Sequence, residues 1–372
     1  MTNEEIKKIL NAVLGEGNEI IHQILGGMMN ISYLVKDKEN KKYIVYIPTK
    51  QANEMVDRPL EKEHQRIVYE LGLTSKNIYF DTTTGIKINE FIEGESIDKT
   101  ADFDYEKIAS LLKKLHNSIM LSRTDYTPFT RFTDIYEKEA KSFNEEVSPI
   151  YTELRDFLFA KREYLESQPL VLSHNDAQRS NIIKSVDGNY YLIDFEFAGN
   201  NDPIYDISCF GNGTVSEGRK LLEKYFDNNP NDDQIKRYYL WRIFISLQWY
   251  NVAITKHYRG EGEKHNINFL EVANHFLSNA KDAYDGYHLE IKDKEVEDDT
   301  IKLIITTLDK VRHFLRKDGG DCEFVSFEEG IVYVRMHGAC QDCSFAYNDI
   351  KDLVEVILQE EVPGVIEVRL AG

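Results

Sequence analysis

The chain has 372 residues, of which 42% are hydrophobic and 29% are charged, an ordinary composition for a globular protein of more than one folding unit. Its 45 Lys and Arg residues against 64 Asp and Glu residues give a formal net charge of −19, and basic residues are not gathered into a block. Nucleic acids and anionic membranes require a positive surface, so the composition argues against both as partners. Since the sequence has no apolar stretch of membrane-spanning length, we expect a soluble, cytoplasmic protein.

The amino-terminal part of the chain predicts a small antiparallel sheet with one helix. Apolar residues with helical spacing predict a helix over 60–71, which Gly72 ends. Alternating apolar residues indicate strands at 20–25, 32–35, 43–47, 78–80 and 86–91.

After Gly94 the pattern becomes mainly helical. Long helices are predicted at 105–117, 132–159, 215–226 and 234–257. Short strands at 170–172 and 190–193 flank a polar loop. The segment 285–299 is rich in charge and poor in apolar residues, which predicts a linker.

That polar loop carries the strongest functional signal in the chain. It reads SHNDAQRSN at 173–181, and the motif DFE follows at 194–196. Phosphoryl transfer to an alcohol requires a carboxylate beside the attacking hydroxyl, and carboxylate and amide oxygens that hold magnesium on the nucleotide phosphates. Asp176, Asn181 and Asp194 offer these groups. The alternative is that both aspartates are only turn and strand-end residues.

These motifs resemble the choline/ethanolamine kinase and aminoglycoside phosphotransferase family, and most of all its bacterial choline kinase-like branch. The resemblance extends over residues 20–285 and includes GGMMN at 26–30 and EFIEG at 90–94. It implies an α+β, bilobal protein-kinase-like fold. The nucleotide-binding N-lobe would occupy 1–92, and the helical C-lobe with the catalytic and substrate sites would occupy 93–290.

The resemblance also implies a role for each matching residue. Asp176 would be the catalytic base, while Asn181 and Asp194 would hold Mg²⁺. Glu196 would support the metal or face the substrate, and Asp206 would anchor the catalytic loop from behind. ATP would contact residues of the N-lobe, namely Gly26, Gly27, Asn30, Glu61, Glu90 and Ile92.

One position departs from the family pattern. The third strand usually carries a basic residue that pairs with the glutamate of the first lobe's helix and touches the phosphates, and Tyr46 stands in that place. A phenol supplies a hydrogen bond but no positive charge. Lys36, Lys50 and Arg58 are the candidate replacements.

An aromatic run at 238–250 suggests where an amino-alcohol would bind. Aromatic faces attract quaternary ammonium groups such as that of choline. Trp241 and Trp249 share one helical face, and Tyr250 adjoins it, so these three residues are the candidate substrate contacts. The alternative is that the aromatic stripe packs in the core.

The tail at 296–372 predicts a separate unit with the order α-β-β-α-β, joined by a linker at 291–295. It contains the pair Cys340 and Cys343. Two thiolates from one loop can bind a soft metal centre but cannot complete four-coordination, which a second chain about a two-fold axis would supply. A redox dithiol, a zinc site and a purely structural pair are the alternatives.

The tail resembles the NifU C-terminal domain over its whole length, with GGD at 319–321, GAC at 338–340 and EVPGV at 361–365. This resemblance implies a labile 4Fe-4S cluster held between two chains, a homodimer through the tail, and apo iron–sulfur proteins as acceptors. The main hypothesis is therefore an ATP-dependent kinase of a small amino-alcohol joined to a cluster carrier. The alternative, which Tyr46 favours, is a cluster carrier whose kinase-like part is a ligand-binding or regulatory pseudokinase.

Overall fold

The chain forms two compact units, Met1–Gly286 and Tyr287–Gly372. The computed structural model describes residues 1–24, 29–143, 148–316, 319–338 and 346–371. Gly26, Gly27, Cys340 and Cys343, all assigned a function above, lie outside the described residues. Within the described ranges, no helix has both the length and the apolar content needed to cross a bilayer.

The larger unit begins with a five-stranded antiparallel sheet in the order β1-β2-β3-β5-β4, which confirms the predicted sheet. Its strands are β1 (Glu19–Ile24), β2 (Asn30–Lys36), β3 (Lys42–Pro48), β4 (Asn77–Phe80) and β5 (Lys87–Glu90). The predicted helix is α3 (Arg58–Glu70), capped by Asp57. Two further helices, α1 (Asn3–Leu14) and α2 (Lys50–Met55), were not predicted. Leu10 of α1 packs against the sheet beside Val45.

The rest of this unit is mainly helical. Its helices are α4 (Tyr105–His116), α5 (Pro128–Arg131), α6 (Lys138–Phe143), α7 (Pro149–Phe159), α8 (Arg162–Glu166), α9 (Pro203–Phe210), α10 (Val215–Tyr225), α11 (Asp232–Tyr258), α12 (Gly262–His265) and α13 (Phe269–Tyr287). The expectation of one helix over 132–159 is wrong. A π-helical turn at Phe132–Glu137 leads into α6, and α7 starts anew at Pro149. Proline has no backbone N–H and disfavours helical geometry at the residue before it, so it starts a helix better than it continues one.

Short strands of this unit hold the polar loop in place. They are β6 (Gly94–Ser96), β7 (Val171–Ser173), β8 (Ile182–Ser185), β9 (Tyr190–Leu192) and β10 (Gly199–Asn201). The loop runs from β7, which pairs with β10, to β8, which pairs with β9. Because β9 ends at Leu192, the DFE motif emerges beside the end of the loop, where Ile193 donates its backbone N–H to the Asn181 carbonyl at 3.0 Å.

The smaller unit has the predicted order α-β-β-α-β. Its elements are α14 (Asp293–Leu315), β11 (Gly320–Glu328), β12 (Ile331–Gly338), α15 (Ala346–Glu361) and β13 (Glu367–Leu370). β12 is central, antiparallel to β11 and parallel to β13. The core is formed by apolar residues from all five elements, among them Leu308, Cys322, Val334, Leu358 and Val368.

The predicted linker at 291–295 is helical rather than irregular. A π-helical turn at His288–Lys292 continues directly into α14. Lysine and glutamate favour helices almost as well as leucine does. A charge-rich segment therefore predicts solvent exposure, but it does not argue against a helix.

Candidate active site

The loop between β7 and β8 is anchored by the carboxylate of Asp206, in α9. Asp206 Oδ2 accepts the backbone N–H of His174 at 2.8 Å, and Oδ1 accepts that of Asn175 at 2.7 Å. His116 Nε2 lies 3.0 Å from Asp206 Oδ2. Asp206 is fully buried, and a buried carboxylate is tolerated only when hydrogen bonds replace its hydration. The anchoring role expected for Asp206 is confirmed.

Asn175 turns the backbone of the loop immediately before Asp176. Its φ is 64°, in the left-handed region that asparagine tolerates better than most residues. Its side-chain Nδ2 donates to the carbonyls of Phe197, at 3.0 Å, and Gly199, at 3.2 Å. These bonds tie the loop to the chain that follows the DFE motif.

Asp176 and Asn181 lie side by side. Asn181 Nδ2 donates to Asp176 Oδ2 at 2.9 Å, and Gln178 Nε2 donates to Asp176 Oδ1 at 2.9 Å. Burial, reinforced by the negative charge of Asp194, raises the pKa of Asp176 to about 8. A carboxylate with a raised pKa is a stronger base toward a hydroxyl proton.

A buried network of charges links the sheet, α3 and the DFE motif. Arg58 Nη1 lies 2.7 Å from Glu61 Oε2 and 3.0 Å from Glu196 Oε1. Lys87 Nζ donates to Glu61 Oε1. Asn30 Nδ2 donates to Glu196 Oε1 at 2.7 Å, so the amide of this predicted nucleotide contact faces Glu196. The two cations leave neither glutamate unpaired.

Asp194 extends the network toward the catalytic loop. Its Oδ1 lies 3.6 Å from Lys87 Nζ. Burial and the nearby charge of Glu196 raise the pKa of Asp194 to about 7. Asp194 has a φ of 67°, and a non-glycine residue held in this region is a form of backbone strain that is common at functional sites.

Lys87 is a buried cation of this network that was not among the residues predicted from sequence. It stands directly across from Tyr46 in the β3–β5 ladder, and its ammonium lies 5.0 Å from the centre of the Tyr46 ring. Of the candidates proposed from sequence, Lys36 pairs with Glu19 and Lys50 is 92% exposed. A lysine between two isoleucines of a predicted strand was the available signal, because buried lysines are rare unless paired.

The carboxylates of this network suit a divalent cation. Oxygen atoms of Glu61, Asp194 and Glu196 lie within 4.8 Å of one another. Asp194 Oδ1 and Glu196 Oε2 are buried and accept no hydrogen bond. When all three carboxylates are ionised they outnumber the two cations, and their hard oxygen donors are those that magnesium prefers. An asparagine binds a metal through its amide oxygen, and the donation of Asn181 Nδ2 to Asp176 fixes how that oxygen is oriented.

Residues 90–92, two of which were predicted to contact ATP, follow along β5 and its end. The Phe91 N–H donates to the Lys42 carbonyl at 3.1 Å, and Glu90 forms an ion pair with Lys41. Ile92 follows, half-buried, before β6. The structure therefore places this segment where β5 ends, next to the beginning of β3.

The aromatic run divides between core and partly exposed positions. Trp241 is 1% exposed, and its Nε1–H donates to Asp202 Oδ2 at 2.9 Å. It therefore corresponds to the core-packing alternative and not to a substrate contact. Trp249 is half-buried and stacks on Phe276 with ring centres 5.9 Å apart, and Tyr250 is half-buried as well. Helical spacing placed the two tryptophans on one face but could not reveal that other elements cover one of them.

Comparison with known families separates the two units. The choline/ethanolamine kinase family matches residues 21–246, and the NifU-like domain matches residues 304–369. Choline kinase LicA from Streptococcus pneumoniae has a similar structure, with 26% identity and a TM-score of 0.58 over 76% of this chain and 97% of that chain. The same figures for identity and TM-score hold for a structure of LicA in complex with AMP.

Curated proteins give the same division. Protein LicA of Haemophilus influenzae is 24% identical over 64% of this chain and 74% of its own length. The mitochondrial NFU1 iron-sulfur cluster scaffold homolog of Drosophila grimshawi is 36% identical over 76 residues, which are 20% of this chain and 26% of that protein. The likeness to the scaffold protein covers a fifth of this chain, and the NifU-like match lies in the tail.

The anchoring by Asp206 predicts the effect of an isosteric change. In Asp206→Asn, an amide N–H₂ group replaces one acceptor oxygen, so a buried backbone N–H or His116 loses its partner. We expect the free energy of unfolding to fall by about 1–3 kcal/mol. Urea unfolding followed by the fluorescence of the two tryptophans, both in α11, measures this change. Asp227→Asn is the control, because the Asp227 side chain is 87% exposed. Equal stability of the two variants would contradict the anchoring role.

Proposed function

Since this chain belongs to the choline/ethanolamine kinase family, we propose that its larger unit transfers the γ-phosphoryl group of ATP to the hydroxyl of choline or a similar amino-alcohol. The hydroxyl oxygen forms a bond to the γ-phosphorus while the bond from that phosphorus to the β–γ bridging oxygen breaks. The products are ADP, a phosphomonoester and a proton. The observation that supports this most is the position of Asp176, held by Asn181 beside the Asp194 charge.

Asp176 acts as the base in this proposal. The hydrogen bonds from Gln178 and Asn181 fix its carboxylate, so that an acceptor hydroxyl meets an oriented oxygen. The hydroxyl proton passes to the Asp176 carboxylate as the new bond to phosphorus forms. The raised pKa strengthens Asp176 as a base in its ionised form, which is the form that accepts the proton.

Asp194 is the first candidate ligand for magnesium, with Glu196 and the amide oxygen of Asn181 nearby. Magnesium, when bound, would neutralise charge on the nucleotide phosphates. Glu61 is less available as a ligand, since both its oxygens are engaged by cations. The chain itself contributes a fixed carboxylate in Asp194, with an oxygen free to bind.

Asp176→Asn tests the assigned base. The amide keeps the size of the side chain, so folding and nucleotide binding should persist while phosphoryl transfer is lost. The measurement is a screen of ATP consumption with magnesium and choline, ethanolamine or aminoglycosides as acceptors. Asp187→Asn, on an exposed turn after β8, should match the wild type. If Asp176→Asn keeps more than about a tenth of wild-type turnover, Asp176 is not the base.

Trp249 and Tyr250 are the remaining aromatic candidates for an ammonium site, because both are only half-buried. We expect Trp249→Ala to raise the KM for choline by about tenfold, with the KM for ATP unchanged, because one cation–π face is lost. The control is Trp241→Phe, which should lower the melting temperature and leave the choline KM alone. A Trp249→Ala variant that changes only the melting temperature would assign Trp249 to packing.

We propose that the tail binds an iron–sulfur cluster and delivers it to apo-proteins. The NifU-like family match supports this, as does the cysteine pair that the sequence places between β12 and α15. A 4Fe-4S cluster requires four thiolates, and each chain offers Cys340 and Cys343 at this place, so two chains would share one cluster. Cys322 is fully buried in the core of the smaller unit and packs as a small apolar side chain.

Anaerobic reconstitution with iron and sulfide tests the shared cluster. We expect about one four-iron cluster per two chains. Cys343→Ser should remove the cluster and the cluster-dependent dimer together, while phosphoryl transfer persists. Cys322→Ser, the matched control, should retain the cluster. Full occupancy on a monomer, measured by iron content and light scattering, would contradict the two-chain arrangement.

A further inference from the structure

We propose that Lys87, on β5, supplies the positive charge to the nucleotide phosphates that the family pattern places on β3. In this chain the phosphate-binding cation therefore stands on the neighbouring strand β5, and Tyr46 occupies the position on β3 that is basic in the family pattern. This inference rests on the proposed kinase function, because it assigns Lys87 to a bound nucleotide.

The strand pairing makes such an exchange possible. Tyr46 and Lys87 are direct partners in the antiparallel β3–β5 ladder. Directly opposed residues project from the same face of a sheet, and their Cβ atoms are about 5 Å apart. The flexible four-carbon side chain of lysine covers that distance. Lys87 Nζ accordingly reaches Glu61 on α3, the partner expected for a basic residue at position 46.

The ammonium group retains capacity for a further ligand. Lys87 is 2% exposed, so its charge must be matched by neighbours or by a bound anion. One of its three N–H donors serves Glu61, and the separation of 3.6 Å from Asp194 exceeds a hydrogen bond. A phosphate oxygen near Asp194 would therefore find a donor that is already oriented.

Among the described residues, the other candidate groups near the sheet are less suited to this role than Lys87. Burial raises the pKa of Tyr46 to about 12, so its phenol is neutral at physiological pH. Arg58 is committed through Nη1 to Glu61 and Glu196 and through Nε to Asn53 on the α3 side, which leaves only its buried Nη2 without a hydrogen-bond partner. Lys36 is paired with Glu19, and Lys50 projects into solvent.

The test measures nucleotide affinity in the full-length protein by calorimetry, with ADP and magnesium and separately with adenosine. Lys87→Met should weaken ADP binding by about tenfold or more, since a charge-assisted hydrogen bond to phosphate is lost. Adenosine binding should not change, because adenosine has no phosphate. Lys36→Met is the matched control and should bind both ligands as the wild type does.

A charge transposition keeps the proposal testable if Lys87→Met folds poorly. The double variant Tyr46→Lys/Lys87→Met returns the cation to β3 and should recover most of the ADP affinity lost in Lys87→Met. Unchanged ADP affinity in Lys87→Met, or equal losses for ADP and adenosine, would overturn the proposal and leave the kinase function standing. A wild-type protein that binds no nucleotide would overturn both.

Discussion

The carboxylate of Glu61 is the charge on which the active-site architecture depends. It is 2% exposed, and an unpaired carboxylate at such a position would cost several kcal/mol. Arg58 and Lys87 each take one of its oxygens, and Arg58 continues to Glu196. Because these groups come from α3, β5 and the DFE motif, pairing of one buried charge fixes three parts of the larger unit relative to one another.

A second buried carboxylate, Asp206, does for the catalytic loop what Glu61 does for the sheet. It binds two successive backbone N–H groups, at His174 and Asn175, and so determines the direction in which Asp176 leaves the loop. Left-handed backbone geometry occurs at Asn175, directly before the candidate base Asp176, and at Asp194, the candidate magnesium ligand. Such strain persists only where surrounding hydrogen bonds enforce it. The bonds from Asp206 and the Asn175 side chain provide that enforcement at Asn175, and the bonds of Ile193 to Asn181 and His174 hold the residue before Asp194.

The sequence was informative where function depends on short spacing. Asp176 and Asn181 are five positions apart on one loop, and Asp194 follows the next short strand, so local connectivity alone brings them together. Lys87 was not predictable in the same way. Its relation to Tyr46 depends on the register between two strands that lie about forty residues apart, which no local pattern encodes. The same limit applies to Trp241, because helical periodicity defines a face but not the element that covers it.

The relocated cation also bears on the choice between an active kinase and a pseudokinase. Tyr46 alone indicates that the phosphate contact of β3 is lost. Together with its cross-strand partner Lys87, it indicates that the cation stands on β5 instead of β3. The distinction matters for the tail as well. With an active kinase the NifU-like domain adds a second function to the chain, and with a pseudokinase it would carry the main one.

The most direct measurement follows the ¹⁵Nζ resonance of Lys87 in the full-length chain labelled at lysine Nζ. The Lys87→Arg variant assigns the signal, and titrations use ADP with magnesium and, separately, adenosine. If Lys87 binds the nucleotide phosphates, its resonance shifts with ADP and stays in place with adenosine. A Lys87 resonance that moves with neither ligand, while other signals report ADP binding, would contradict the account.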